Sequence, residues 1–340
     1  MLAVRTHVAG EPLRLDELPV PVPHGTEVLV KVAGAGVCHT DLHVARTDRL
    51  RVERPITLGH EVAGHIAGMG NAAVPIVRRA RLHPDEAVAV FGGWGCGACR
   101  ECRRGEEQRC EQGRSPGFQV DGGYAEYLLV PHPRHLVPLG QLDPVDAAPL
   151  ADAGVTPFRA VRRAVPWLAE GSRALLIGLG GLGQFALQFL RRLPEVVIGV
   201  REIDPDKLQT ASELGADVGF LAGDEELIFA GLGGPADVVF DFVGSDETLA
   251  LAARFVGRGG LISLVGEAGG EMTFSFEALP AEAWLTTTSW GSPDDLRDVV
   301  QLARRGRLRW TVDRMPLREA AAAHDRLAAG QVPGRLVLVP

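Results

Sequence analysis

Residues 174–190 read ALLIGLGGLGQFALQFL. Ala174–Ile177 is a short apolar run of the kind that forms a buried strand. Gly178, Gly180, Gly181 and Gly183, with Leu182 among them, make a tight turn, and Gln184–Arg192 carries helical spacing. Strand, glycine turn and helix in that order are the context in which a glycine-rich turn has meaning. The glycines let the backbone approach a pyrophosphate, and the helix N-terminus adds partial positive charge. An acid is then expected at the end of the next strand, Val196–Val200, to accept hydrogen bonds from a ribose. Glu202 stands there, near the usual offset of about 20 residues. A carboxylate at that point repels a 2′-phosphate, so NAD is expected over NADP, with neighbouring Arg201 pulling the other way.

Outward from this unit, a second helix is expected near Lys207–Leu214, and Asp237–Val243 and Leu261–Val265 read as further buried strands. Strands alternating with helices predict a parallel, doubly wound sheet covered on both faces. Before about residue 150 the character differs. Gly and Pro separate short β-like runs such as Glu27–Val32 and Tyr124–Val130, which predicts an irregular, mostly β domain. After about 290 come a helix, Pro293–Arg304, and a closing strand, Gly334–Val339. A chain of 340 residues suits two domains.

Composition narrows the function. The chain is 46% hydrophobic with a formal charge of −8, so it lacks the basic surface a nucleic-acid binder needs. No apolar run approaches a membrane span, and the N-terminus lacks a secretory core. A cytoplasmic protein with reduced thiols is expected, which turns attention to how its five cysteines are spent. Four lie in CGACRECRRGEEQRC, residues 96–110, with two, two and seven residues between them. Cys96, Cys99, Cys102 and Cys110 can converge on one tetrahedral zinc, and four thiolates leave no position open for chemistry. The fifth, Cys38, lies in GVCHTDLH (36–43), and His60 lies downstream in LGHEVAG (58–64).

These motifs together resemble the zinc-dependent medium-chain alcohol dehydrogenases. The resemblance runs nearly the whole length: CHTDLH, GHEVAG, the four-cysteine loop, GGYAEY (122–127), DAGVTPFRA (152–160), GLGGLG and the terminal GRLVLVP. It implies an α/β chain. A GroES-like, mostly β catalytic domain (1–153, completed by 290–340) would flank an inserted Rossmann NAD-binding domain (154–289).

The resemblance also assigns roles. Cys38 and His60 match two ligands of a catalytic zinc. The third is usually a cysteine where this chain has Asp152, and Glu61 beside His60 is the rival. One thiolate and one carboxylate still neutralise Zn²⁺, and three protein ligands with an open position are the catalytic pattern. Two zinc ions per chain follow, one catalytic and one structural. Thr40 matches the hydroxyl that takes the substrate proton and His43 the relay that passes it on. Asp41 would support His60. His39, Lys207, Val265, Gly266 and Thr288 match cofactor contacts. Trp94, Tyr124 and Trp290 fall where relatives place substrate-pocket walls.

The resemblance therefore implies an NAD-linked oxidoreductase of small alcohols and carbonyls, with secondary or aromatic-bearing alcohols favoured by those aromatics. It also implies a homo-oligomer, dimer or tetramer. A polyol or sugar dehydrogenase, or a non-catalytic dinucleotide-binding protein keeping only the structural zinc, are the competing readings. One stretch departs from the family pattern. Residues 68–88, GMGNAAVPIVRRARLHPDEAV, run longer than expected, and Pro75 suits a covered strand poorly. A poorly ordered or unusually routed loop is predicted over 69–87.

Overall fold

The computed structural model describes residues 1–340. The chain divides into two units, Met1–Val155 with Gly291–Pro340, and Thr156–Trp290.

The first unit is built on a seven-stranded sheet and a three-stranded one. In the larger, Arg335–Val339 pairs antiparallel with Val28–Gly36, and that strand pairs in turn with Glu61–Met69 and with Tyr127–Val130. The strand from the C-terminus is thus built into a sheet begun near residue 28. Its side chains Arg335, Leu336, Val337 and Leu338 are all buried. Ends of these strands, and the turns leaving them, carry the residues of the candidate site.

Residues 69–87 correct the expectation of an irregular loop. Ala73–Arg79 is a helix between the strands Glu61–Met69 and Ala87–Val90. Pro75 falls in its first turn, where an N–H has no intrahelical acceptor to lose. Ala73 and Val77 are buried, and the Ala72 and Ala73 N–H groups donate to the Gly25 carbonyl at 2.9 and 3.0 Å. Arg78, Arg79 and Arg81 are exposed where the helix ends, and positive charge there complements the helix dipole.

The second unit is a six-stranded parallel sheet. In space its strands run Val218–Leu221, Val197–Glu202, Arg173–Ile177, Ala236–Asp241, Val256–Leu264 and Trp284–Thr287. The order reverses between Arg173–Ile177 and Ala236–Asp241, the switch point of a doubly wound fold, and the glycine turn leaves the first of these strands. Ala174 to Ile177 have no exposed surface, as strands covered on both faces require. Gly178 has φ +90°, and a Cβ at Gly183 would come within 2.2 Å of the Gly178 carbonyl oxygen. The turn can therefore close only with glycine at these two positions. Helix Gly181–Leu190 begins without a side-chain cap.

Candidate active site

Cys38 is the residue before helix His39–Arg46, at the exit of strand Val28–Gly36. His60 immediately precedes strand Glu61–Met69, and Asp152 follows the short helical turn Ala148–Ala151. The folding of the first unit brings them together: ligand atoms of Cys38, His60, Glu61 and Asp152 lie within 4.8 Å of one another. Asp152 Oδ2 is 3.8 Å from Cys38 Sγ and 3.6 Å from His60 Nε2. Zinc bonds of about 2.0–2.3 Å at tetrahedral angles hold neighbouring ligand atoms roughly 3.3–3.8 Å apart, so these separations fit that ion.

Asp41 organises two of these groups. It is 1% exposed, and each oxygen takes two donors. Oδ1 accepts from His60 Nδ1 and the Gly59 N–H, both at 3.2 Å; Oδ2 accepts from the Cys38 N–H at 3.0 Å and the Tyr124 hydroxyl at 3.1 Å. Burial alone would raise the Asp41 carboxyl, but the charge and hydrogen bond of His60 hold it below its ordinary value. With Nδ1 engaged by Asp41, Nε2 is the ring atom turned to Asp152 and Cys38. Gly59, with φ +93°, is required here because a Cβ would meet the Tyr124 ring at 2.3 Å.

Glu61 is fully buried and paired with the equally enclosed Arg335 guanidinium through Oε1. Its Oε2 is buried without a hydrogen-bond partner. Burial pushes the carboxyl up to about 8; Arg335 opposes this and Asp152 reinforces it. An orphaned carboxylate oxygen in a pocket crowded with acids and a thiol is an arrangement a divalent cation relieves. Sequence reasoning quoted the GRLVLVP motif but assigned no role to Arg335. Its signal was a single cation in an otherwise apolar strand.

Thr40 and His43 lie on helix His39–Arg46, three residues apart and so on one face. Thr40 Oγ1 is 3.6 Å from the buried Cys38 Sγ, and the side chains of Thr40 and His43 are partly open to solvent. His39, the first residue of that helix, is exposed. Tyr124 departs from the expectation of a pocket wall. It has no exposed surface, and its hydroxyl is committed to Asp41. Trp94 is also buried, donating from Nε1 to the Phe91 carbonyl at 2.5 Å and stacking on His135. Aromatic residue type alone could not separate a wall from a core position. Trp290 adopts φ +51° at the end of the second unit.

The four cysteines of the loop also gather within 4.8 Å. Cys96 and Cys102 sulfurs are 3.9 Å apart, and Cys99 and Cys110 sulfurs 3.8 Å, far beyond the roughly 2.05 Å of a disulfide and near a tetrahedral edge. N–H groups of Ala98 and Cys99 aimed at Cys96 pull its thiol down to about 6, while burial pushes Cys102 up to about 12. Beneath the loop, Glu107 ties it to the sheet. Its carboxylate accepts from the Gly95 N–H and is bonded to His135 Nε2, each at 3.0 Å, and takes Arg134 Nε at 3.0 and 3.2 Å.

In the second unit, Glu202 is bound to the glycine turn itself. Oε2 accepts from the Leu179 N–H at 2.6 Å and Oε1 from the Ile203 N–H at 2.7 Å. Arg201 points to the other face of the strand, where its guanidinium meets Glu225 at 3.0 Å and Glu247 at 2.5 Å. Lys207 lies in the first turn of helix Pro205–Leu214. The N–H groups of Val265 and Gly266 donate to the Asp241 carbonyl at 2.8 and 2.9 Å, and the Thr288 hydroxyl accepts from Arg163 at 3.4 Å.

Comparison with known proteins gives the family. Residues 24–141 match the alcohol dehydrogenase GroES-like domain, and residues 214–338 match the zinc-binding dehydrogenase domain. The D-arabinose 1-dehydrogenase (NADP(+)) of Saccharolobus solfataricus is 36% identical, with 97% of this chain and 95% of that one covered. The NAD-dependent alcohol dehydrogenase of Sulfurisphaera tokodaii is 35% identical over the whole of both chains. The crystal structure of the Aeropyrum pernix alcohol dehydrogenase superposes with a TM-score of 0.92 at 33% identity, covering 100% of each chain. The chain belongs to the zinc-dependent medium-chain alcohol dehydrogenase family. It is thus an oxidoreductase of the zinc-binding alcohol and polyol dehydrogenases, and no helix in it is long and apolar enough to cross a membrane.

Proposed function

We propose that this protein interconverts an alcohol and its aldehyde or ketone with NAD(H), using one zinc held by Cys38, His60 and Asp152 and a second held by the four-cysteine loop. The observation that carries this reading is the convergence of one sulfur, one imidazole nitrogen and one carboxylate oxygen at 3.6–3.8 Å from three distant segments. When bound, zinc would supply Lewis acidity to the substrate oxygen and NAD a hydride acceptor. Cys38, His60 and Asp152 would supply three donors and leave a fourth position open, while Arg335 occupies one of the two Glu61 oxygens. Asp41 keeps His60 in the tautomer whose Nε2 faces that position. Thr40, beside Cys38, receives the substrate proton, and His43 one turn along takes it onward to solvent.

NAD rather than NADP is supported by two features. The Glu202 carboxylate sits at the glycine turn and repels a 2′-phosphate, and Arg201 is occupied by Glu225 and Glu247 on the opposite face. The expectation of aromatic-bearing alcohols loses support, because Tyr124 and Trp94 are buried in other contacts. A polyol or sugar substrate is favoured by one observation, the likeness to the D-arabinose enzyme. A homo-oligomer is supported by exposed apolar side chains on the second unit, where Phe274, Phe276 and Trp284 are 74%, 97% and 62% exposed. Trp284 lies on an edge strand of the sheet, and such an edge can pair with another copy.

One experiment tests the reading: zinc per chain, together with cofactor reduction over a panel of primary, secondary and aryl alcohols and aldoses with NAD and NADP. Two zinc ions and NAD-dependent turnover are expected. One zinc and no turnover would favour a non-catalytic dinucleotide-binding protein.

A further inference from the structure

Behind Asp41 lies a second row of buried polar groups. The Tyr124 hydroxyl donates its single proton to Asp41 Oδ2 at 3.1 Å, and the Tyr124 oxygen is then an acceptor facing His324 Nε2 at 3.5 Å. The two rings meet edge to face with centroids 5.9 Å apart. Tyr124 is fully enclosed and His324, on helix Ala320–Ala328, is 3% exposed. Burial, which Asp41 only partly offsets, holds the His324 imidazole below its ordinary value, so the neutral ring can present its N–H to the tyrosine. Tyr124 also presses on Gly59, the residue before His60.

We propose that Tyr124, backed by His324, is a positioning residue for the Cys38–His60 pair and acts through Asp41. The proposal rests on the metal-site reading above. Each Asp41 oxygen governs one ligand residue: Oδ1 the His60 ring, and Oδ2 the Cys38 backbone N–H. A carboxylate turns easily about its last torsion, and turning would displace both ligands together. Tyr124 closes the remaining side of Oδ2 in a site with almost no exposed surface. Without the hydroxyl, Oδ2 keeps one donor of two, and the carboxylate is held by three donors in place of four. A space-filling role would need only the ring, which phenylalanine also supplies.

The test is Tyr124→Phe in the full-length, metal-loaded protein, read by release of metal to a chelator. The phase belonging to the Cys38 site is identified by its absence in Asp152→Ala. Release from that site is expected to quicken roughly tenfold, the low end of the range for groups that orient metal ligands. Release from the four-cysteine site should not change, and the visible bands of the cobalt-substituted protein should shift. His324→Leu should move both readouts the same way, and His324→Gln, which keeps an N–H donor, should return them toward the parent. A Tyr124→Phe protein with parental release and unshifted cobalt bands would overturn the proposal and leave the metal site standing. A parent chain that takes up metal only in the four-cysteine loop would overturn both.

Discussion

Glu61 and Arg335 stand 274 residues apart in sequence and form one enclosed ion pair, joining strand Glu61–Met69, beside the candidate metal site, to strand Arg335–Val339. Removing one member of a buried pair leaves the other charge unanswered, a loss of about 3–5 kcal/mol. Arg335→Leu is therefore expected to lower the urea midpoint sharply, and Glu61→Gln added to it to recover part of the loss. An unchanged midpoint in the single variant would mean the pair is dispensable.

Asp152 Oδ2 lies within 3.8 Å of Cys38 Sγ and 3.6 Å of His60 Nε2. Asp152→Ala should retain the four-cysteine zinc, lose the other, and abolish turnover, while NAD affinity measured by fluorescence titration stays near the parent's. Full activity in this variant would transfer the ligand role to Glu61, whose second oxygen has no other partner.

Glu202 makes two backbone hydrogen bonds at the glycine turn. A hydrogen bond from a ribose hydroxyl to this charged group would be worth about 1.5–3 kcal/mol, so Glu202→Ala should raise the Michaelis constant for NAD at least tenfold. The preference over NADP should shrink at the same time, because the repelling charge is gone. A variant with parental constants for both cofactors would remove Glu202 from cofactor recognition.

Acid should loosen the four-cysteine lobe in two steps. Burial holds the His135 imidazole below its ordinary 6.5, so the unfolded chain binds the proton first and stability falls as pH drops through that value. Burial alone would raise Glu107, but its bonds to His135 and Arg134 hold it below its ordinary 4.5. Its contribution is thus full above 4.5 and lost as pH falls through the lower, folded value. Unfolding midpoints measured against pH should show both slopes in the parent and only the upper in Glu107→Gln. Identical curves for the two proteins would contradict this.

Local signals carried much of the fold into view from sequence. Helix Pro293–Arg304 was readable to the residue because Ser292 caps it, Pro293 opens it and Asp295 completes the capping box. The glycine turn and the four-cysteine loop were readable because their chemistry fixes short spacings, while Cys38, His60 and Asp152 were legible together only through the family resemblance. Capping signals at Ser245 and Thr248 also announce helix Asp246–Phe255, which went unread. The helix at Ala73–Arg79 was obscured by Pro75, whose meaning depends on whether it falls in a first turn or a strand. His324 and Arg335 as site residues, and Tyr124 as the partner of Asp41, were illegible for another reason. Their partners lie 83, 200 and 274 residues away, and no local pattern encodes such a meeting.

Arg335 reaches Glu61 from a strand that pairs antiparallel with Val28–Gly36, whose exit carries Cys38. A chain frayed at Arg335–Val339 would leave Glu61 without its counter-charge and Cys38 without the strand that braces its approach, so fraying there and loss of the metal site would be one event.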